Sequence, residues 1–343
     1  MYEWLGICLA LTALLTLNAA VSLLAATFWR FLQPKAQHWP ARTQAQWLFA
    51  LRVIPGLTAL ICVSALLVPA YIAHEPRNKV EEVTLKMAGL AAISAAGLLL
   101  ALWRGLAAWM VTRNLLKNWI ANSKPLSPGE LIAGVSVPIP AYRLYHPFPV
   151  IAVVGTFWPK LFIADHLFES LTSEELSAAI AHECGHLTAR DNLKRSLLRV
   201  CRDVLTIVPC GRLLDRKWAE ASEAAADEFA AQQGQGPALD LASALVKIAR
   251  MVPAGFRPVM PVQTMGALLI GDNSGGIADR VLRLTKLASK TDSRVDSSRL
   301  MAPAIPHSLW LSFGTLLVAV AATAASSLAT VHALIEVIVS ILQ

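Results

Sequence analysis

The chain has 343 residues, of which 55% are hydrophobic and 15% charged, and its formal net charge is +7. Soluble globular domains carry about one quarter charged residues, so this deficit argues against an ordinary soluble protein and for a membrane one. Most basic residues flank apolar runs instead of forming a patch interleaved with aromatics, which argues against nucleic acid as a partner.

Residues 4–29 carry no charge and are long enough to cross the hydrocarbon core as a helix. The preceding "MYEW" has a glutamate and no lysine or arginine, so the run reads as a retained span, not a cleaved signal peptide. A second span covers about residues 47–73, interrupted by Pro55 and Pro69, which membrane helices tolerate. A third covers about 85–111 and contains Arg104, placed to snorkel or to face protein. A fourth apolar run lies within residues 307–343.

Arg30, Lys35, Arg42 and Arg52 surround the first connection without an acidic residue, whereas the second connection balances its charges. Arg113, Lys117 and Lys124 follow the third span. The excess of basic residues in cytoplasmic loops then places the N-terminus outside and residues 117–306 in the cytoplasm. The expected division is 1–116 for three spans, 117–306 for a cytoplasmic domain and 307–343 for the fourth span with a short tail. "NSKPLSPGE" reads as a linker at the start of that domain, and "SKTDSRVDSSR" as a polar stretch near its end. The five cysteines include no CxxC pair, and Cys8 and Cys62 sit in apolar runs, so a disulfide framework is not expected. A reducing compartment suits the soluble part.

"LTSEELSAAIAHECGHLTARD" opens with Thr172 and Glu175 in capping-box spacing, which predicts a helix from Ser173. That helix carries His182 and His186 four residues apart, one turn from each other on one face, where both rings can grip one metal ion. Glu183 lies about 100° around the helix, still within reach of a metal-bound water. Cys184 is about 200° around and is excluded as a ligand. Gly185 removes a side chain beside the site and lets another element approach. A catalytic zinc site needs a third protein ligand and an open position. The helical stretch "DRKWAEASEAAADEFAAQQG", with Asp215 as a possible N-cap, offers Glu220, Glu223 and Asp227, and spacing does not choose among them.

HECGH followed by an ExxxD helix resembles the membrane gluzincins, most closely the peptidase family of the beta-lactam sensor-transducers, with HtpX-like and CAAX prenyl proteases as relatives. The shared features are three spans before a zinc domain and one after it, the LT-x-EEL stretch at 171–176, Asp191 after the HExxH, and Pro209 fourteen positions before Glu223. The resemblance covers about residues 150–233. It implies an α-helical membrane protein of four spans with an inserted α+β zincin-like metallopeptidase domain. It further implies one zinc ion held by His182, His186 and Glu223, with Asp227 orienting a histidine and Glu183 as general base. Zinc would lower the pKa of a bound water towards roughly 7 and polarise the scissile carbonyl. Two departures stand out. Ala226 replaces the family's frequent cysteine, and the penicillin-binding sensor domain has no counterpart in this sequence.

"PFPVIAVVGTFWPKLFIADHL" reads as two short strands around "GTFWP", one of them an edge on which a substrate backbone can pair. His146 and His166 read as structural or surface histidines. The expected activity is a membrane-anchored zinc endopeptidase acting on protein or peptide substrates at the cytoplasmic face. Regulatory cleavage of a repressor or anti-factor, with a sensor or repressor as partner, is expected ahead of membrane-protein quality control. A non-catalytic metal-binding scaffold or receptor is the reading from another class, and an intact Glu183 argues against it.

Overall fold

A computed structural model of the chain describes residues 2–75, 83–126, 137–204, 210–233, 236–252 and 274–292. Helix α1 (Tyr2–Ala36) is followed by α2 (Ala41–Ile61), a π-helical turn (Cys62–Leu67) and α3 (Val68–His74), and then by α4 (Leu85–Ala121). Pro69 has no N–H to donate, and the turn before it widens, Val68 N–H bonding the Val63 carbonyl five residues back. Among the described residues three helical segments are long and apolar enough to cross a membrane: Tyr2–Ala36, Ala41–His74 and Leu85–Ala121. Their outer faces expose Leu24, Leu99 and Trp103 by about two thirds, a costly arrangement in water and an ordinary one in lipid. The fourth apolar run, 307–343, lies outside the described residues.

A four-stranded sheet follows, with β1 (Ser123–Pro125), β2 (Ala141–Leu144), β3 (Ile151–Val154) and β4 (Lys160–Ala164) in the spatial order β1-β2-β4-β3. β2 and β4 run parallel and the other two pairs antiparallel. The start of the expected linker is therefore a strand: Ser123, Lys124 and Pro125 face Leu144, Arg143 and Tyr142. An edge strand tolerates Pro125 because its missing N–H is not needed there. The expected hairpin forms as β3 and β4, with the turn beginning at Gly155. Gly155 has φ +111°, and a Cβ would stand 2.8 Å from the Trp158 carbonyl oxygen, so only glycine fits without strain.

Six helices complete the described chain: α5 (Leu167–Ser170), α6 (Ser173–Ala189), α7 (Asp191–Val204), α8 (Cys210–Ala231), α9 (Pro237–Met251) and α10 (Ser274–Asp292). The capping box of α6 forms as expected: Thr172 N–H donates to Glu175 Oε2 at 2.8 Å and Glu175 N–H to Thr172 Oγ1 at 3.3 Å. The same carboxylate accepts from Ser243 Oγ at 2.6 Å and Lys247 Nζ at 2.7 Å, which ties α9 to α6. The main core lies between β3, β4, α6 and α9, with Phe162, Ile180, Leu245 and Leu284 at or near zero exposure.

A second core joins the apolar helices to the rest, through Trp29 of α1, Leu48 of α2, Leu198 of α7, and Leu214 and Trp218 of α8. Here α8 runs antiparallel to α2 and is fastened at two levels. Glu228 accepts the Ala41 N–H at 3.1 Å, an anion at a helix N-terminus. Arg52 Nε lies 3.0 Å from Asp215 Oδ1. Asp215 is thus not an N-cap. α8 already begins at Cys210, and the buried Arg52 guanidinium claims the Asp215 carboxylate.

Burial alone would raise the pKa of Glu175, but Lys247, Ser243 and the Thr172 N–H overcome it and hold it below the ordinary range. A depressed folded-state pKa stabilises above the unfolded value, about 4.3, and that contribution is lost as pH falls through the folded value. Glu175→Ala is expected to cost about 1–3 kcal/mol at neutral pH. Thermal unfolding in detergent should show the gap to wild type closing below about pH 4.

Candidate metal centre

His182 and His186 project from one face of α6, their ring centroids 4.8 Å apart and their planes nearly perpendicular. Glu223 reaches them from α8. His182 Nε2 lies 3.6 Å from Glu223 Oε2, and His186 Nε2 lies 3.5 Å from Glu223 Oε1. Tetrahedral coordination with bonds of about 2.0–2.1 Å separates ligand atoms by about 3.3–3.4 Å, close to these spacings. Among the described residues these three side chains form a group able to hold a metal ion. His186 Nε2 and Glu223 Oε2 are buried without a hydrogen-bond partner, a costly state that a cation would relieve. The donor set therefore fits zinc.

The far side of each ring is also held. His182 Nδ1 lies 3.0 Å from Asp227 Oδ1, and His186 Nδ1 lies 2.8 Å from Asp191 Oδ2. A carboxylate at Nδ1 takes that nitrogen's proton in a hydrogen bond and turns the Nε2 lone pair towards the ligand position. Asp191 also accepts from Ser222 Oγ at 2.6 Å. Asp227 is gripped by Arg280, with Nη2 at 2.7 Å and Nε at 3.2 Å, and by Arg283 Nη2 at 2.5 Å.

Charge and burial oppose each other throughout the cluster. Burial would raise the Glu223 carboxyl, yet the His186 charge, the close approach of both imidazoles and Arg280 hold it well below its ordinary value. Burial would lower His186, but the Glu223 charge and the Asp191 hydrogen bond push it up to about 9. The same negative field favours a bound metal cation. Glu183 differs from its neighbours. Burial raises its carboxyl, outweighing His186, His182 and a hydrogen bond from the Val153 N–H.

That last bond comes from the edge strand. Val153 N–H donates to Glu183 Oε2 at 3.1 Å, and Glu183 Oε1 is buried without a partner. In the antiparallel register with β4, Val150 bonds to Ala164, so Val153 turns its N–H and carbonyl outward. Asn192 Nδ2 donates to the Val153 and Gly155 carbonyls, each at 3.0 Å. The expected edge is present, and the chain's own side chains occupy it at Val153. Beside it lies a cavity of about 370 Å³ lined by Val153, Gly155, Phe157, Glu183, His186 and Leu187, among others.

Gly185 explains how α8 arrives. A Cβ there would meet Ala226 Cα at 3.1 Å, and Ala226 Cβ and Phe229 Cβ at 3.3 Å. The structure brings together His182, Glu183, His186, Glu223 and Asp227. It leaves Glu220 exposed and paired with Lys217 at 2.8 Å. Burial pushes the Cys184 thiol up to about 11, unsuited to a thiolate ligand. His146 packs on Trp119 and accepts the Phe148 N–H, and His166 leads into α5, both away from the centre.

Several members of the site were not anticipated. Asp191 orients His186, a task the sequence reading gave to Asp227 alone. Its position five residues after His186, across the left-handed Arg190 (φ 55°), was the available signal. Arg280 and Arg283 had none, since α10 reaches the centre from far along the chain.

Residues 152–214 match Peptidase family M48. The match runs from β3 into the first turns of α8; it contains His182, Glu183, His186 and Asp191 and stops before Glu223. M48 peptidases are zinc-dependent. No curated protein matches the chain.

Gly185→Val should drive α8 away from α6, an overpacking that costs roughly 1–3 kcal/mol. Elemental analysis should find zinc depleted while far-UV helicity persists. Retention of full zinc would show that the close contact is dispensable.

Proposed function

We propose that this chain is a membrane-anchored zinc endopeptidase that cuts protein substrates at the cytoplasmic membrane face in regulatory proteolysis. The observation that carries this reading is the complete ligand shell: two histidines, each held at Nδ1 by its own aspartate, turned towards Glu223, with a buried glutamate beside them. A purely structural metal site has no use for Glu183. The M48 match and the three apolar helices support a membrane-associated metalloprotease.

His182, His186 and Glu223 hold zinc in this reading, with Asp191 and Asp227 orienting the two rings. Zinc bound there supplies Lewis acidity. The chain's own groups do the rest. Glu183 Oε1, lacking a partner, accepts a proton from the attacking water and later delivers it to the leaving nitrogen. Burial raises its basicity, and the Val153 N–H keeps the carboxylate aimed. Asn192 holds the edge strand above the centre, and the adjacent cavity receives a substrate side chain.

The docking of α8 on α2 favours regulation over quality control, because a ligand-bearing helix braced on a membrane helix responds to whatever moves that helix. In a sensor-transducer-like scheme the stimulus comes from a partner protein. The N-terminus faces outward and the zinc domain inward, following the basic residues around the first connection.

Purified protein is expected to contain about one zinc per chain, the number for a single three-ligand site. His182→Ala, His186→Ala and Glu223→Ala should each strip it. Glu183→Gln should keep zinc and fold but lower hydrolysis of labelled casein by roughly 100-fold or more. A Glu183→Gln protein that supports the cellular phenotype as well as wild type would show that the chain works by binding alone.

Topology has a separate check. A cysteine placed at residue 78 should react with an impermeant thiol reagent added outside intact cells, and one at residue 37 should not. The opposite pattern would place the zinc domain outside.

A further inference from the structure

The metal centre is enclosed on most sides. Side-chain exposure is 0% for His182 and Asp227 and 5% for His186, while Glu223 stands at 22% and Arg195 at 23%. Among these side chains Glu223 and Arg195 are thus the ones partly open to solvent, on the Glu223 side of the ligand group, while the cavity beside the edge strand reaches His186 and Glu183. Arg195 sits one turn after Asp191 on the same face of α7, so the helix that orients His186 also aims this guanidinium.

Its position is fixed from two directions. Arg195 Nη2 lies 3.1 Å from Glu223 Oε1, and its guanidinium carbon lies 5.9 Å from the Trp218 ring centroid. Trp218 is buried in the second core, a rigid plate under a planar cation. Among the described residues Arg195 donates no other hydrogen bond, so most of its five N–H groups are uncommitted there on a side chain that is 23% exposed. Arg280 also approaches Glu223, with Nη1 at 3.4 Å, but its Nε and Nη2 are spent on Asp227 and its side chain is only 8% exposed. Arg280 braces the centre from behind, and Arg195 stands at its mouth.

We infer that Arg195 is a further catalytic residue of the peptidase reaction, donating a hydrogen bond to the scissile carbonyl oxygen as that oxygen gains negative charge. This inference rests on the endopeptidase reading above. The water oxygen bonds to the carbonyl carbon, the carbonyl electron pair moves onto its oxygen, and the water's proton passes to Glu183. Arg195 holds the charged oxygen. When the C–N bond breaks, the pair returns to the carbonyl and Glu183 gives the proton to the departing nitrogen, so peptide and water become an acid and an amine. A donor placed before the charge appears needs no reorganisation when it does.

The test uses the full chain in nanodiscs, loaded with zinc, on the Glu183→Gln background so that nothing turns over. Two probes are titrated calorimetrically: a phosphinic pseudopeptide with leucine and phenylalanine flanking its tetrahedral anionic centre, and the same peptide with an ordinary amide. Adding Arg195→Met should weaken the pseudopeptide by roughly 100-fold or more while sparing the amide peptide and the zinc content. Arg195→Lys should restore part of the loss, a point charge replacing a planar donor. Equal losses for both probes, or no loss for either, overturn the role. Loss of zinc in Arg195→Met also overturns it and makes Arg195 a positioning residue for Glu223. If the Glu183→Gln parent itself binds neither probe, the endopeptidase reading fails with the inference, a result visible before Arg195 is changed.

Discussion

The candidate metal centre depends on one close approach: α8 lies against α6 where Gly185 offers no side chain and Ala226 offers a methyl group. That contact brings Glu223 within 3.6 Å of the two histidines. It also sets Asp227, one turn further along α8, behind His182. A side chain at Gly185 would meet Ala226 and Phe229 at 3.1–3.3 Å and press α8, with its carboxylates, away from α6.

Every other element can be understood by what it does to that pair of helices. α2 supports α8 from the outside through Arg52 and Glu228. α9 holds the first turn of α6 through Lys247 and Glu175. α7 leaves α6 through the left-handed Arg190 and returns at once with Asp191 under His186 and Asn192 under the edge strand. α10 closes the back by fixing Asp227 with two guanidiniums. Four carboxylates share this small buried volume, and Arg195, Arg280 and Arg283 keep their charge from driving the helices apart.

Residues on the apolar helices pack directly with α7 and α8, through Trp29 and Leu48. Glu223 is thus carried on a helix whose Trp218 side packs against the apolar helix α2. A shift of α2 along its axis would strain both the Arg52–Asp215 pair and the Glu228 cap, since they lie at opposite ends of the contact.

Local chemistry was legible in the sequence because it is written within one turn or one hairpin. The Thr172–Glu175 capping box, the four-residue spacing of His182 and His186, the turn at Gly155 and the apolar lengths of three helices each depend on neighbours along the chain. The acidic helix was different. Glu220, Glu223 and Asp227 fall at i, i+3 and i+7, one stripe of one helix, so periodicity alone offers all three to the metal. Resemblance to a known pattern pointed to Glu223, and tertiary structure shows why that carboxylate is the one brought in: the helix is fixed axially by its contact at Gly185 and by its brace on α2, which leaves Glu220 at the surface with Lys217. Asp191, Arg195, Arg280 and Arg283 take their roles only when α7 and α10 fold back on the centre. Such roles depend on contacts between residues distant in sequence, and no local preference encodes them.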